Sequence, residues 1–354
     1  MTWRLPPRWV RRVVLAPLVV LLALVVLPVG VLVAAFVGAV MTWLLPGRLR
    51  IVRAVWMALF YLYWDAAILV VAFALWVGSG FGWQLQRPAF RRAHYVFAGA
   101  MMRILFWQVR WTLRLQIDIV DADLGRTLEG QPVLVASRHG GPGDSFILVH
   151  ALLNWFAREP RIVLKDTLQW DPAVDVLLNR LPMQFITPHS TRRPGAPGLS
   201  AAVGRLASDL DGDDALLIFP EGGNVTPRRR LARIEALRRN GQPELAAQAE
   251  QMTNVMAPHA GGLLAAVDAA PAAGVVFVAH TGLDRLVTVR DVWRELPMDK
   301  RIVMKGWTVL PQDVPRGRDE QEAWLFDHWT GIDSWIDEQN RVEAALAPRA
   351  RPGR

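Results

Sequence analysis

Hydrophobic and polar positions divide the chain into two regimes. From Val13 to Gly47 no residue is charged across 35 positions. As one straight helix that run would be roughly 52 Å long, well beyond a hydrocarbon core of about 30 Å. Pro28 and Gly30 lie near its middle, and they predict either a long kinked helix or a tight hairpin of two short arms. A second apolar stretch, from Ala54 to Trp83, carries Asp65 as its only charge and ends in Gly78, Gly80 and Gly82. These lengths predict that residues 1–92 enter a membrane as transmembrane or re-entrant helices, in preference to forming buried core helices. They also exceed the apolar core of a cleaved signal peptide, roughly 7–15 residues, so the segment is expected to be retained. An acid inside such a run is expected to face other helices or water, which is the reading given to Asp65.

Downstream the pattern changes twice. Between Tyr95 and Leu115, Arg103, Arg110 and Arg114 fall at i, i+7 and i+11 beside Phe106, Trp107 and Trp111. That single stripe predicts an amphipathic helix over 93–115 lying among lipid headgroups, with an ordinary packed helix as the alternative. After residue 115, short β-like runs alternate with helix-like stretches such as Ser145–Arg158. The runs are Gln116–Val120, Val133–Ala136, Ile162–Leu164, Ala215–Phe219, Val275–Ala279 and Arg301–Val309. The expected fold class is therefore α/β, a mixed sheet flanked by helices over 116–345, with a flexible tail over 346–354.

Charge refines this picture. The 354-residue chain has a formal charge of +8, yet the first 112 residues hold 12 Arg and one acid, while the remainder holds 28 basic and 31 acidic residues. The folded region thus lacks the positive face of a nucleic-acid binder, and no nucleic-acid partner is expected. Arginines flank both apolar runs: Arg4, Arg8, Arg11 and Arg12, then Arg48, Arg50 and Arg53, then Arg87, Arg91 and Arg92. All three clusters favour the cytoplasmic side, a demand that re-entrant hairpins meet and two simple spans do not. The chain has no cysteine, which excludes disulfides, Fe–S clusters, thiolate-ligated zinc and a cysteine nucleophile. Nor does it carry a P-loop, a G-x-G-x-x-G after a strand, H-E-x-x-H or G-x-S-x-G.

Two segments carry chemistry. In Val133-Leu-Val-Ala-Ser-Arg-His139-Gly-Gly-Pro-Gly-Asp144 a strand ends, glycines and a proline force a tight loop, and a helix begins. Such a loop can bring the Asp144 carboxylate to one imidazole nitrogen of His139 and leave the other for a substrate, a base with its orienter. In Leu216-Leu-Ile-Phe-Pro-Glu221-Gly222-Gly223-Asn224 a second apolar strand ends in a glycine-bearing loop. Glu221 could order that loop or meet a polar substrate, and the glycine amides could face an anion. Further on, Arg228, Arg229, Arg230, Arg233, Arg238 and Arg239 accompany Leu231, Ile234 and Leu237 at helical spacing. They read either as a solvated amphipathic helix or as a phosphate clamp, with Arg228 nearest the loop. His189, His259 and His280 read as structural, with polar contacts near strand ends or in loops as the alternative, and His94, His150 and His328 carry no signal.

Taken in this order, about 80 residues apart, His139-x-x-x-x-Asp144 and Phe219-Pro-Glu-Gly222 resemble the glycerolipid acyltransferase family, over roughly residues 95–310. The resemblance extends to Val163-Leu-Lys165 and to Met183-Gln-Phe-Ile186. It departs at Thr187-Pro188, where an arginine for the acceptor phosphate is expected, with Arg192 and Arg193 following later. It departs again at Gly223-Asn224, where the family has Thr-Arg. It implies a membrane-bound O-acyltransferase of phospholipid synthesis, moving a fatty acyl group from acyl-CoA or acyl-carrier protein to a lysophospholipid hydroxyl. Lysophosphatidate is the alternative acceptor. In that reading Asp144 orients His139, His139 takes the acceptor proton, and amides of Gly140, Gly141 or Gly222 meet the oxyanion. Lys165, Arg192, Arg193 and Arg228 would hold phosphates, no metal or bound cofactor would be needed, and the catalytic domain would lie on the cytoplasmic face. Two rivals remain open: a hydrolase with a metal on His139, Asp144 and Glu221, and a catalytically inactive lipid-binding scaffold.

Overall fold

The computed structural model describes residues 5–44, 50–120, 127–141, 143–186, 198–282 and 299–346. The chain divides into two compact units that alternate along the sequence. One comprises Met1–Gln116, Phe146–Ala202 and Thr288–Lys300; the other comprises Ile117–Ser145, Val203–Val287 and Arg301–Arg354. The segment expected as a single domain over 116–345 therefore contributes to both.

In the first unit a π-helical turn at Val10–Leu15 leads into helix α1 (Ala16–Leu44), which packs along α2 (Arg50–Gly78). The sequence left open a hairpin of two short arms within the first apolar run. It does not form, because α1 continues unbroken through Pro28 and Gly30. Gly30 marks a close approach to α2: a Cβ there would come within 3.2 Å of the Leu59 side chain. Packing of α1 on α2 carries the helix through the one hydrogen bond that Pro28 removes. Among the described residues, one helix, Ile51–Gly78, is long and apolar enough to cross a membrane.

Helix α3 (Pro88–Leu113) begins earlier than its arginine stripe predicted, because Pro88 fits the first helical position, and it ends at Arg114 in the left-handed region. It is packed on one side and open on the other. His94, Tyr95, Ala98, Met101, Met102, Leu105 and Phe106 are buried, whereas Arg103, Trp107, Arg110 and Trp111 are exposed. Trp64 of α2 donates to the Met101 carbonyl at 2.9 Å, and Phe106 stacks on His150 with centroids 4.3 Å apart. Burial, with Arg103 and Arg110 nearby, pushes the His150 imidazole down to about 4, so it packs as a neutral ring. The unit also holds the parallel strands β3 (Glu159–Lys165) and β4 (Gln184–Ile186) and the short helix α5 (Pro172–Leu178). Just before α1, Arg11 reaches Asp175 of α5 at 3.1 Å and Gln169 at 3.1 Å, with both charged side chains almost wholly buried.

The second unit holds five strands of a mixed sheet, in the order β1 (Gln116–Val120), β7 (Arg301–Val309), β6 (Gly274–His280), β2 (Val133–Ser137), β5 (Asp214–Ile218). Strand β2 runs parallel to both β5 and β6, and β7 is antiparallel to β6. Every residue of β2, β5 and β6 is buried, which is why these three read as continuous apolar runs with no alternation. Helices α7 (Pro227–Arg239), α8 (Pro243–Gln251), α9 (Ala260–Ala269) and α10 (Arg318–Leu346) surround the sheet. Helix α4 (Asp144–Asn154) starts in this unit and continues in the first, and α6 (Leu199–Ala207) likewise joins the two.

The Arg11–Asp175 pair gives a stability test. Asp175→Ala leaves a buried guanidinium without its counter-charge and should destabilise the protein by about 3–5 kcal/mol in denaturant unfolding in detergent. Replacing both partners with apolar residues, Arg11→Met with Asp175→Leu, should recover most of that loss. A single-variant loss below about 1 kcal/mol would mean that the pair contributes nothing to anchoring the start of α1.

Candidate active site

Because β2, β5 and β6 are parallel, their carboxyl ends open on one edge of the sheet, the edge at which open α/β sheets collect ligands. The register pairs Ala136 with Ile218 and Ser137 with Val278. The loops after β2 and β5 and the last residue of β6 are therefore neighbours, and both chemistry-bearing segments meet there.

His139 follows β2, and its Nδ1 lies 3.1 Å from Asp144 Oδ2. The same oxygen accepts the Gly141 N–H at 2.7 Å and lies 3.7 Å from His280 Nε2. A carboxylate only accepts, so Nδ1 is the nitrogen of His139 that donates to it, and Nε2 is the nitrogen turned away from Asp144. Burial alone would raise the Asp144 carboxyl, but His280, His139 and the Gly141 amide together hold it below the usual carboxylate range. The Asp144 side chain has no exposure, whereas the His139 side chain is 20% exposed. The pair thus has a dry orienter and a base that a substrate can reach. Phe219 flanks the imidazole, with ring centroids 4.9 Å apart.

Glu221 orders the loop. It is fully buried, and its Oε2 accepts the backbone N–H of His139 at 3.3 Å while Oε1 accepts Trp329 Nε1–H at 3.3 Å. Burial pushes its carboxyl up to about 8, against the opposing pull of Arg138 and of the N–H groups of His139, Trp329 and Met256. Arg138 is itself buried and donates to the carbonyls of His280 (2.7 Å) and Asn254 (3.3 Å). Of the three amides expected to serve an oxyanion, Gly141 N–H is engaged by Asp144, and Gly222 N–H by the Phe219 carbonyl at 3.0 Å. Gly140 is the one of the three that the described hydrogen bonds leave unengaged.

Gly222 and Gly223 take positive φ values of 68° and 145°. At Gly223 a Cβ would sit 2.3 Å from Arg229 Nη1, so only glycine admits this guanidinium, which donates to the carbonyls of Gly222 (3.0 Å) and Asn224 (3.1 Å). The arginine-rich segment is helix α7, capped by Thr226, with Ile234 and Leu237 buried but Leu231 exposed. Arg230 donates to the Met252 carbonyl at 2.7 Å, Arg233 to the Pro258 carbonyl, and Arg238 pairs with Glu250. Those three fasten the helix, and Arg228 stays exposed in its first turn. Lys165 belongs to the first unit, exposed at the end of β3, and Arg192, Arg193, Pro188 and His189 lie outside the described residues. Among the described residues no group of three His, Asp or Glu side chains is arranged to hold a metal ion. Arg138 and Trp329 were not singled out in the sequence, Phe219 and Arg229 entered only as members of a motif and of the arginine-rich segment, and His280 was read as structural. Arg138 adjoins the first motif, whereas nothing local marks Trp329.

Residues 118–281 match the family model described as Acyltransferase. Among solved structures, the 1-acyl-sn-glycerophosphate (LPA) acyltransferase from Thermotoga maritima is similar at 13% identity and a TM-score of 0.44, covering 96% of this chain and 100% of that one. No curated protein sequence matches the chain.

Glu221 makes stability depend on pH. Its folded value of about 8 lies above its ordinary 4.5. The stability it contributes is therefore fully present below about pH 4.5 and is lost by the time the pH has risen through about 8. Glu221→Gln should flatten this dependence, so that its melting temperature falls less than the parent's between pH 5 and 9. Parallel curves for the two proteins would refute the burial argument.

Proposed function

We propose that the chain, whose residues 118–281 match the Acyltransferase family model, moves a fatty acyl group from a thioester donor to the hydroxyl of a lysophospholipid-type acceptor. The observation that carries this reading is the contact of His139 Nδ1 with Asp144, which leaves Nε2 as an accessible base beside loop amides. His139 Nε2 takes the acceptor proton as the hydroxyl oxygen attacks the thioester carbonyl. The Gly140 amide faces the oxyanion. As the tetrahedral species collapses, the thiolate leaves and recovers the proton from the imidazolium, giving an ester and a free thiol. Asp144 holds the tautomer and stabilises the transient imidazolium without taking its proton. The donor is acyl-CoA or acyl-carrier protein. A phosphodiester acceptor suits the site better than the dianionic lysophosphatidate, because Gly223-Asn224 supply no cation of their own and Arg229 already carries two backbone hydrogen bonds.

The first unit is the membrane anchor in this reading. Val13, Leu18, Leu21, Leu24, Val25 and Phe36 of the N-terminal helical segment are exposed, as are Val70 and Phe73 of α2. On α3, Trp107 and Trp111 share an exposed face with Arg103 and Arg110, a face suited to anionic headgroups. Arg11 before α1 is fastened to Asp175, and the Ala72 carbonyl near the end of α2 accepts from Arg180 at 2.6 Å. Both ends of the helical pair are thus tied to one short stretch around α5, which fits a pair that enters and leaves the same cytoplasmic face.

Purified protein with acyl-CoA and a panel of lysolipids should release CoA thiol only when an acceptor hydroxyl is present, with kcat/KM higher for lysophospholipids than for lysophosphatidate. His139→Ala should lose about three orders of magnitude or more, and Asp144→Asn on the order of 10²–10³, with folding intact. Near-parental turnover in either variant would remove the mechanism. The absence of cysteine makes topology directly readable. Single cysteines at Arg8 and Gln84 should both react with an impermeant maleimide from the cytoplasmic side of oriented vesicles, and labelling from opposite sides would exclude a re-entrant pair.

A further inference from the structure

Helix α10 lies wholly beyond the residues that match the family model, yet it reaches the catalytic loop at two points. Its placement against β6 is set by Phe277, which stacks on His328 at 4.2 Å and meets Trp324 edge-on at 5.0 Å. One turn of the helix then presents Trp329 and Asp333, at i and i+4, on a common face. Trp329 has no exposure, and its indole N–H ends on Glu221 Oε1; the other oxygen of the same carboxyl holds the His139 backbone N–H. Asp333 Oδ1 accepts the amides of Asn254 (2.6 Å) and Val255 (3.0 Å), and the Asn254 carbonyl accepts from Arg138, the residue preceding His139. Two short chains of hydrogen bonds therefore run from α10 to adjacent residues of the catalytic loop.

We propose that Trp329 is a positioning residue for the base: through the buried Glu221 carboxyl it fixes the peptide that carries His139. A fully buried carboxyl oxygen left unpaired is costly, and water has no access to supply the partner. Without the indole N–H the carboxyl keeps only the His139 and Met256 N–H groups, nothing holds Oε1 toward α10, and the carboxyl can turn and loosen its hold on the His139 amide. The ring of Trp329 fills core that another aromatic ring could fill; the N–H is what a phenyl ring does not replace. This inference takes its kinetic readout from the acyl-transfer reading, but its chemical readout is independent of that reading.

The test uses the full-length protein with Trp329→Phe, Glu221→Gln and the double variant. Trp329→Phe should lower kcat about tenfold or more with KM within about twofold, the signature of a displaced base with intact substrate binding. Labelling of His139 by diethyl pyrocarbonate, followed by mass spectrometry, should change severalfold in rate. In the Glu221→Gln background Trp329→Phe should have little further effect on either readout, because the two residues act in series. Unchanged kcat and labelling in Trp329→Phe, or an effect undiminished in the Glu221→Gln background, would overturn the proposal. Should Trp329→Phe fail to fold, Glu221→Gln alone must show the same changes, and parental behaviour of that variant would overturn it equally. If the parent protein itself transfers no acyl group, the functional reading fails, and the labelling rates still decide whether Trp329 positions His139.

Discussion

The Asp144 carboxylate is removed from water entirely, so its charge has to be met inside the protein, and how it is met determines the site. His139, the Gly141 amide and His280 converge on one of its oxygens. That convergence requires the loop after β2 to turn back within four residues, and the glycines at 140, 141 and 143 permit the turn. It also requires the end of β6 to lie beside the end of β2, which the parallel register of the two strands provides. A buried carboxylate without those donors would take a proton and lose its hold on the imidazole.

Around this dyad lies a second set of buried polar groups with the opposite task. Glu221 and Arg138 do not point a reacting atom at a substrate; they hold backbone. Glu221 fixes the His139 amide, Arg138 fixes the carbonyls of His280 and Asn254, and α10 supports both through Trp329 and Asp333. The loop after β5 is treated similarly from the other side, where Arg229 grips the carbonyls on either side of Gly223. Rigid backbone beneath a reachable imidazole is the arrangement expected of preorganised general-base catalysis.

Much of this was legible in the chain because it is local. The apolar runs of β2, β5 and β6 announced strands of an α/β sheet, and the four-residue spacing between His139 and Asp144 at a strand–loop–helix junction announced their contact. The fate of Glu221 was left open between ordering the loop and meeting substrate, and burial decides for the first. What was not legible depends on long-range packing. Trp329 and Asp333 lie about 190 residues from His139 and look like any residues of an amphipathic helix. The Gly141 and Gly222 amides were expected to meet an oxyanion, and only the three-dimensional hydrogen-bond count shows both engaged elsewhere. Pro28 left a long helix and a hairpin both open, and the choice falls to the helix because the cost of proline in an isolated helix says nothing about the neighbour that Gly30 admits.

The central claim is that His139 acts as a general base for direct transfer, with no acyl group resting on the protein. Rapid-mix measurement of thiol release from acyl-CoA, with acceptor lipid omitted, addresses it most directly. Direct transfer predicts no burst of thiol without acceptor and a full turnover once a lysophospholipid hydroxyl is added. A burst equal in amount to the enzyme would reveal a covalent acyl-enzyme, and would contradict the assignment of His139 as the base that activates the acceptor itself.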